Sequence, residues 1–430
     1  IRTTVKYFKA HLTFSVINLI GLTIGLTVCY LAFLYVNFEL SYDSFHRNAD
    51  NIYRLSIDVM ASNGIDYRGS SAPIGPAVKE AFPEVRSATR ILLDYLIIQN
   101  DKGLYNEEKI AYADATLFRV FTFPLAIGNP SDVLNAPFNV VLSETCAARY
   151  FGTDNPIGKT LLINGTDRAY VTGVMNDIPY NAHFRVDMLV SMSTLLETWN
   201  PSLEKNWTYL RFYTYLLLND NQDVYALNQK VFGLMKEHTA QKEAVYFPVL
   251  EPLRNIYLQG KARGHRAGSA VTGNINAVYI FSLVTLFVLL IACLNFINLS
   301  TAFSMQRAKE IGIRKVLGAS RTGLVSQFLL DAVFLSTVAF IFALGLITLI
   351  LPLFNQISDK TVSLGIFEHP TYVGVLFLVS VLVGLLSGLY PAFFLAGFQP
   401  TESLKGRFAS STKGIRLRKI LVTSQFLISF

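Results

Sequence analysis

Apolar positions along the 430-residue chain fall into two regimes. In the first they run almost unbroken. Phe14–Phe38, Ala277–Ala302, Leu324–Phe354 and Tyr372–Phe398 are each long enough to cross a bilayer, which takes about twenty mostly apolar residues per helix. A fifth run begins at Ile420 and stops at Phe430, too short to span. In the second regime, between the first and second runs, short apolar stretches alternate with polar breaks. NIYRLSIDVM, RILLDYLIIQ, NVVLS, KTLLING, AYVTGVM, FRVDMLVS, YLRFYTYLLL and VYFPVL read as strands. PIGPAVKEAF, SETCAARYF and VYALNQKVFGLMKEH read as helices, the last with Val224, Leu227, Val231 and Leu234 on one face. Breaks such as GNPSD and NDIPYN separate them. The pattern predicts an α-helical transmembrane bundle of four full spans plus the start of a fifth, with a large α+β domain between spans 1 and 2. The expected boundaries are 1–40 for a basic segment and the first span and 41–275 for the α+β domain. They continue as 276–303, 323–354 and 372–398 for the later spans, 304–322, 355–371 and 399–419 for loops, and 420–430 for a truncated fifth span.

Composition agrees: 52% of residues are hydrophobic and the mean hydropathy is +0.39, too apolar for an ordinary soluble protein. The first run is too long for a cleavable signal peptide, and FELSYDSFHR follows it with no small-residue cleavage site. A retained anchor is expected. The chain begins at Ile1, which suggests a piece of something longer.

Charge adds orientation. Arg2, Lys6 and Lys9 precede the first span. Arg307, Lys309, Arg314, Lys315 and Arg321, against Glu310, follow the second. Lys405, Arg407, Lys413, Arg416, Arg418 and Lys419, against Glu402, follow the fourth. The long intervening segment is slightly acidic. Short Lys/Arg-rich loops stay in the cytoplasm, so the N-terminus is expected inside and the α+β domain outside. The net charge of +7 thus reports topology, and nucleic acid is not an expected partner.

Candidate chemistry is sparse. FGTDNPIGKT resembles a phosphate-binding loop, yet five residues rather than four separate Gly152 from Gly158, and Pro156 removes a backbone donor. A strand-like TLLINGT follows where a helix is required, so the stretch is expected to be a turn into a hairpin. The six histidines form no metal-binding spacing, and Cys146 is alone in the outer segment while Cys29 and Cys293 lie in spans. Ser143 before Glu144 reads as a helix N-cap. No catalytic constellation, metal or cofactor site is expected. GKARGHRAGSAVTGN, just before the second span, reads as an exposed connector or, alternatively, a headgroup-contacting loop.

The most informative stretch is SMQRAKEIGIRKVLGASR, Ser304–Arg321. Met305, Ala308 and Ile311 recur at helical spacing, Glu310 lies four residues before Arg314, Gly318 suits a C-cap and Ser320 an N-cap. A short basic helix is expected there, with Ile311, Ile313, Val316 and Leu317 exposed across it. Such a helix suits a groove on a partner, or else the headgroup layer.

KEIGIRKVLGAS strongly resembles the loop after the second span in MacB/FtsX-type permeases of ABC transporters. FLYVNFELSYDSFHRNADNIYRL and VVLSETCAARYFGTDNPIGKTL resemble parts of that family's outer domain, and LSGLYPAFFLAGFQPTESLKG the end of its fourth span. The resemblance implies a permease without ATPase motifs, whose partner ATPase carries ATP and Mg and docks on Arg307, Lys309, Glu310, Ile311, Ile313, Arg314, Lys315, Val316 and Leu317. It also implies mechanotransmission, export or efflux, a dimer or pseudo-dimer of permease halves in membrane lipid, and periplasmic or outer-membrane partners. LRKILVTSQFLISF departs from a four-span pattern and suggests that a second, similar half follows.

Within the bilayer, Gly21/Gly25 and Gly384/Gly388 are G-x-x-x-G pairs that let helices approach closely. Asp331 is isolated among apolar residues of the third span and would be costly against lipid. It pairs with a basic residue near the cytoplasmic surface or, on a second reading, serves a proton path. A rival reading of the whole chain is a membrane receptor whose outer domain senses a ligand; a membrane-anchored hydrolase is a more distant one.

Overall fold

A computed structural model describes residues 12–62, 64–100, 103–240, 244–260, 271–358, 360, 362, 370–396 and 423, with side chains at 302–310 and 394–396 and at positions 12, 14 and 61 excluded. The N-terminal basic segment, the basic loop after the fourth span, nearly all of the fifth run and positions 261–270 of the glycine-rich connector lie outside these residues. The chain divides into two units, Glu39–Ile275 and the remainder.

In chain order the elements are α1 (Leu12–Leu40), β1 (Ile52–Ala61), β2 (Gly64–Arg68), α2 (Ile74–Ala81), β3 (Val85–Asn100), β4 (Gly103–Ala113) and α3 (Leu117–Val120). Then come β5 (Leu125–Ile127), β6 (Asn139–Ser143), α4 (Glu144–Phe151), β7 (Thr160–Ile163), β8 (Asp167–Met175), β9 (Met188–Ser191) and β10 (Tyr213–Leu218). The last are α5 (Val224–Thr239), β11 (Val245–Pro252), α6 (Leu253–Gln259), α7 (Ile275–Val316), α8 (Arg321–Ser358) and α9 (Pro370–Ala396).

The Glu39–Ile275 unit is built on one mixed sheet, ordered β11-β1-β10-β3-β4-β9-β6-β8-β5, with β2 beside β1 and β7 beside β3 and β8. The pairs β4–β9 and β6–β8 are parallel and the others antiparallel. Its central strands are covered on both faces. Ile91, Leu93, Ala111, Val141 and Leu189 enter one core, while Leu92, Ile110, Val140, Leu142 and Val190 enter another. Strands buried on both faces read as continuous apolar runs rather than alternation, which accounts for Ile91, Leu92 and Leu93; further along the same strand Tyr95 and Ile97 are exposed. A third core forms where α2 and α5 cover β1 and β10 through Ile74, Val78, Leu227, Val231 and Met235.

The phosphate-loop look-alike is a turn. Gly158 adopts φ 76°, Lys159 pairs with Asp154 at 2.9 Å, and β7 turns back into β8 through Asn164-Gly165, both at positive φ. Two consecutive left-handed residues match the twist of a tight hairpin, which explains the Asn-Gly pair. Ser143 caps α4 as expected, its Oγ accepting the Cys146 N–H at 3.2 Å.

The other unit contains the membrane-length helices. Among the described residues, four are apolar enough to cross a bilayer: Ser15–Leu40, Ile275–Thr301, Arg321–Ser358 and Pro370–Phe393. They share a core of Leu22, Leu26, Tyr30, Phe296, Leu335, Ala339, Phe340 and Leu376. Two hydroxyls cross-link helices through backbone carbonyls: Tyr30 donates to Leu376 at 2.7 Å and Ser336 to Ser380 at 2.5 Å.

Candidate functional site

The expected short helix after the second span is not a separate element. α7 runs unbroken from Ile275 to Val316, 42 residues, or about 63 Å at 1.5 Å per residue. The apolar run ends near Thr301, but nothing after it breaks a helix. Gly312 is the only weak point before Val316, and polar residues continue the hydrogen-bond ladder as well as apolar ones. The helix stops where a left-handed residue is available. Gly318 has φ 95°, the Ala319 N–H donates to Arg314 O at 3.0 Å, and the Gly318 N–H to Lys315 O at 3.1 Å. That pair of bonds is a Schellman stop. Ser320 then caps α8, its Oγ accepting the Gly323 N–H at 3.2 Å.

α7 and α8 therefore form a hairpin with a tip at Val316–Ser320. Ile311, expected at the surface, is 3% exposed and packs against Leu324, Val325 and Phe328 of α8. The register of the turn dictates this, because residues beside the hairpin's inner seam must be apolar. Ile313, Val316 and Leu317 are 47%, 65% and 81% exposed. Arg314 is half-buried, its Nη1 donating to Gln327 Oε1 at 3.2 Å. Partial burial, with the neighbouring charge of Arg321, holds the Lys315 ammonium below its ordinary value. The tip is thus an apolar patch set among cations. Arg307, Lys309 and Glu310 lie on α7 with side chains outside the described set.

The glycines sit at helix crossings. A Cβ on Gly21 would lie 3.1 Å from Asn295 Nδ2, and one on Gly25 only 2.6 Å from the Ala292 Cβ. One on Gly388 would meet the Ala332 Cβ at 2.6 Å, and one on Gly384 the Val333 Cα at 2.9 Å. So the first pair brings α1 against α7 and the second brings α9 against α8. Asp331 is 9% exposed, buried beside Ala332 rather than facing outward.

Sequence reasoning singled out none of Glu39, Tyr42, Asp43, Asn181, His183, Tyr257 and Gly273. All but Asn181 and Gly273 are at least nine-tenths buried, and they bond to one another across separations of 140 and 218 residues. No periodicity or motif carries such pairings.

Among the described residues, four helices of membrane-spanning length, an α/β domain between the first two and a helical hairpin between the second and third define a polytopic membrane protein with a large domain in its first interhelical segment. The chain matches the MacB-like periplasmic core domain over residues 15–232 and the FtsX-like permease C-terminal domain over 282–400. It belongs to the MacB/FtsX-type ABC transporter permease family. It is 23% identical over 92% of its length to a macrolide export ATP-binding/permease protein MacB of Agrobacterium fabrum, of which it covers 58%. It is 22% identical over 62% of its length to an uncharacterized ABC transporter permease YknZ of Bacillus subtilis, covering 61% of it. The chain thus spans about three-fifths of these curated relatives. A domain of a putative permease from Porphyromonas gingivalis aligns with 52% of this chain and 95% of its own, at 21% identity and a TM-score of 0.42. The extracellular domain of YknZ aligns with 45% of this chain and 99% of its own, at 13% identity and a TM-score of 0.34.

Proposed function

We propose that this chain is the permease component, or its N-terminal half, of an ABC system in which a partner ATPase drives movement of the outer domain. The partner binds ATP and Mg and seats on the tip between α7 and α8. The N-terminus and tip face the cytoplasm, and the α/β domain lies outside. The observation that carries this reading is the exposed Ile313, Val316 and Leu317 surrounded by Arg314, Lys315 and Arg321, at the end of a helix that outruns its span by about fifteen residues. Apolar side chains supply affinity to a groove and the cations supply register. Export is the activity named for the Agrobacterium relative; for this chain the proposal is export or mechanotransmission without a defined substrate.

The test is co-purification of an ATPase with the tagged chain. Burying one Ile or Leu contributes on the order of 1.5–3 kcal/mol, and about 1.4 kcal/mol is a factor of ten. Ile313→Asp and Leu317→Asp are expected to weaken docking at least tenfold, Leu317 more, because it is the most exposed of the three. Insertion and folding of the outer domain should be unchanged. Undiminished co-purification by both variants would remove the docking reading.

A further inference from the structure

The chain leaves α1 through Glu39–Asp43 and returns to α7 through Val271–Asn274, and both connectors are held by the same two anchors. The first anchor is the loop at Asn181–His183. The Asp43 N–H donates to Asn181 O at 2.8 Å, and Asn181 Nδ2 donates to Ser41 O and Oγ, each at 3.1 Å. The His183 N–H donates to Asp43 Oδ1 at 3.1 Å, and His183 Nδ1 stands 2.8 Å from the same oxygen, at ion-pair distance without hydrogen-bond alignment. From the other connector, the Val271 N–H donates to His183 O at 2.7 Å. His183 Nε2 in turn meets the Tyr215 hydroxyl of β10 at 2.6 Å.

The second anchor is Tyr257 of α6. Its hydroxyl donates to Glu39 Oε2 at 2.9 Å and its ring stacks on Tyr42, centroids 3.3 Å apart. Its carbonyl accepts the Gly273 N–H at 2.7 Å, and a Cβ on Gly273 would stand 2.5 Å from the ring. Only glycine lets the returning connector lie this close to that ring.

Asp43 has φ 56°, a conformation uncommon outside glycine, and is 1% exposed, with Oδ2 lacking a hydrogen-bond partner. Strained backbone and a buried carboxylate persist only where surrounding contacts over-determine them. Here those contacts include three to the first anchor, from the Asp43 N–H to Asn181 and from the backbone and ring of His183 to the carboxylate, with the His46 N–H on the Asp43 carbonyl at 3.4 Å beside them.

We propose that His183 and Tyr257 form a two-point clasp that locks the outgoing and returning connectors together, so that neither span end shifts without the other and both act on the sheet through Tyr215 and α6. This deepens the force-transmission reading and rests on it for its purpose. Its physical content is coupling between two segments some 230 residues apart in sequence.

Amide hydrogen exchange on the full chain in detergent tests the coupling without nucleotide or ATPase, so it fails independently of tip docking. Asp43→Gly removes the carboxylate while leaving the left-handed backbone accessible. Exchange at Val271 and Gly273, neither of which touches Asp43 through a hydrogen bond, should accelerate at least tenfold. Sheet amides such as those of Val190 and Leu216 should keep their rates. Unchanged rates at Val271 and Gly273 would overturn the clasp. A second measurement needs no variant: as urea rises, the amides of Asp43, His183, Val271 and Gly273 in the wild-type chain should open in one transition, below that of the sheet. Separate openings for the two connectors would overturn it equally.

Discussion

His46 shows how much one buried side chain contributes to the outer domain. Its ring is 3% exposed, lies against Phe45, Phe121 and Phe123, and accepts the Thr122 N–H on Nδ1 at 3.1 Å. Burial pushes its pKa down from 6.5 to about 4; the nearby Asp43 charge opposes this and His183 adds to it. Because the folded value lies below the unfolded one, the unfolded chain takes up the proton first as pH falls. The stabilisation is complete above pH 6.5 and is lost between there and pH 4, on the order of 3 kcal/mol in all. The melting temperature of the outer domain should therefore fall across that window. His46→Gln should lower the neutral-pH value and flatten the acid limb. An identical slope in the variant would assign the acid sensitivity elsewhere. Glu84 is held below its ordinary value by the hydrogen bond from Lys230, and Asp177, against the upward push of burial, by those from Thr145; their stabilisation is present at neutral pH and is lost only as pH falls below the ordinary carboxylate range.

At the scale of elements, the glycine crossings separate packing from composition. Gly388 leaves no room for a Cβ against Ala332, whereas nothing approaches within 4 Å of a Cβ on Gly345 in α8. Gly388→Val should lower the thermal stability of the purified chain by several degrees, an overpacking cost of about 1–3 kcal/mol. Gly345→Ala should be neutral or stabilising. Equal effects would mean that the crossing is not tight. Spans, central strands and the hairpin turn were legible because each rests on a local signal: run length, residues buried on both faces, or a turn pair such as Asn164-Gly165. β4 was missed because GLYNEEKIAYA puts Glu107 in a strand, where it is 5% exposed only because Tyr150 and Arg149 bond to it. Tertiary context overrode propensity there. The tip was half legible. Its caps are readable at Gly318 and Ser320, but the fall in hydrophobicity after Thr301 marks no break in the backbone, and the burial of Ile311 depends on α8.

At the scale of the whole molecule, topology is the property most open to direct measurement. A cysteine at Asn164, in the β7–β8 turn, should react with an impermeant maleimide in intact spheroplasts, while one at Lys315 should react only after permeabilisation. The reverse pattern would invert the whole assignment. The unbroken course of α7 carries a different consequence. Each residue of an α-helix turns by about 100°, so a one-residue insertion near Ser304 would swing Ile313, Val316 and Leu317 through more than a quarter of a circle. A flexible linker would absorb such an insertion without effect. The stretch beyond Thr301 instead has a fixed azimuth, and its tolerance of insertions and deletions is that of a shaft rather than a tether.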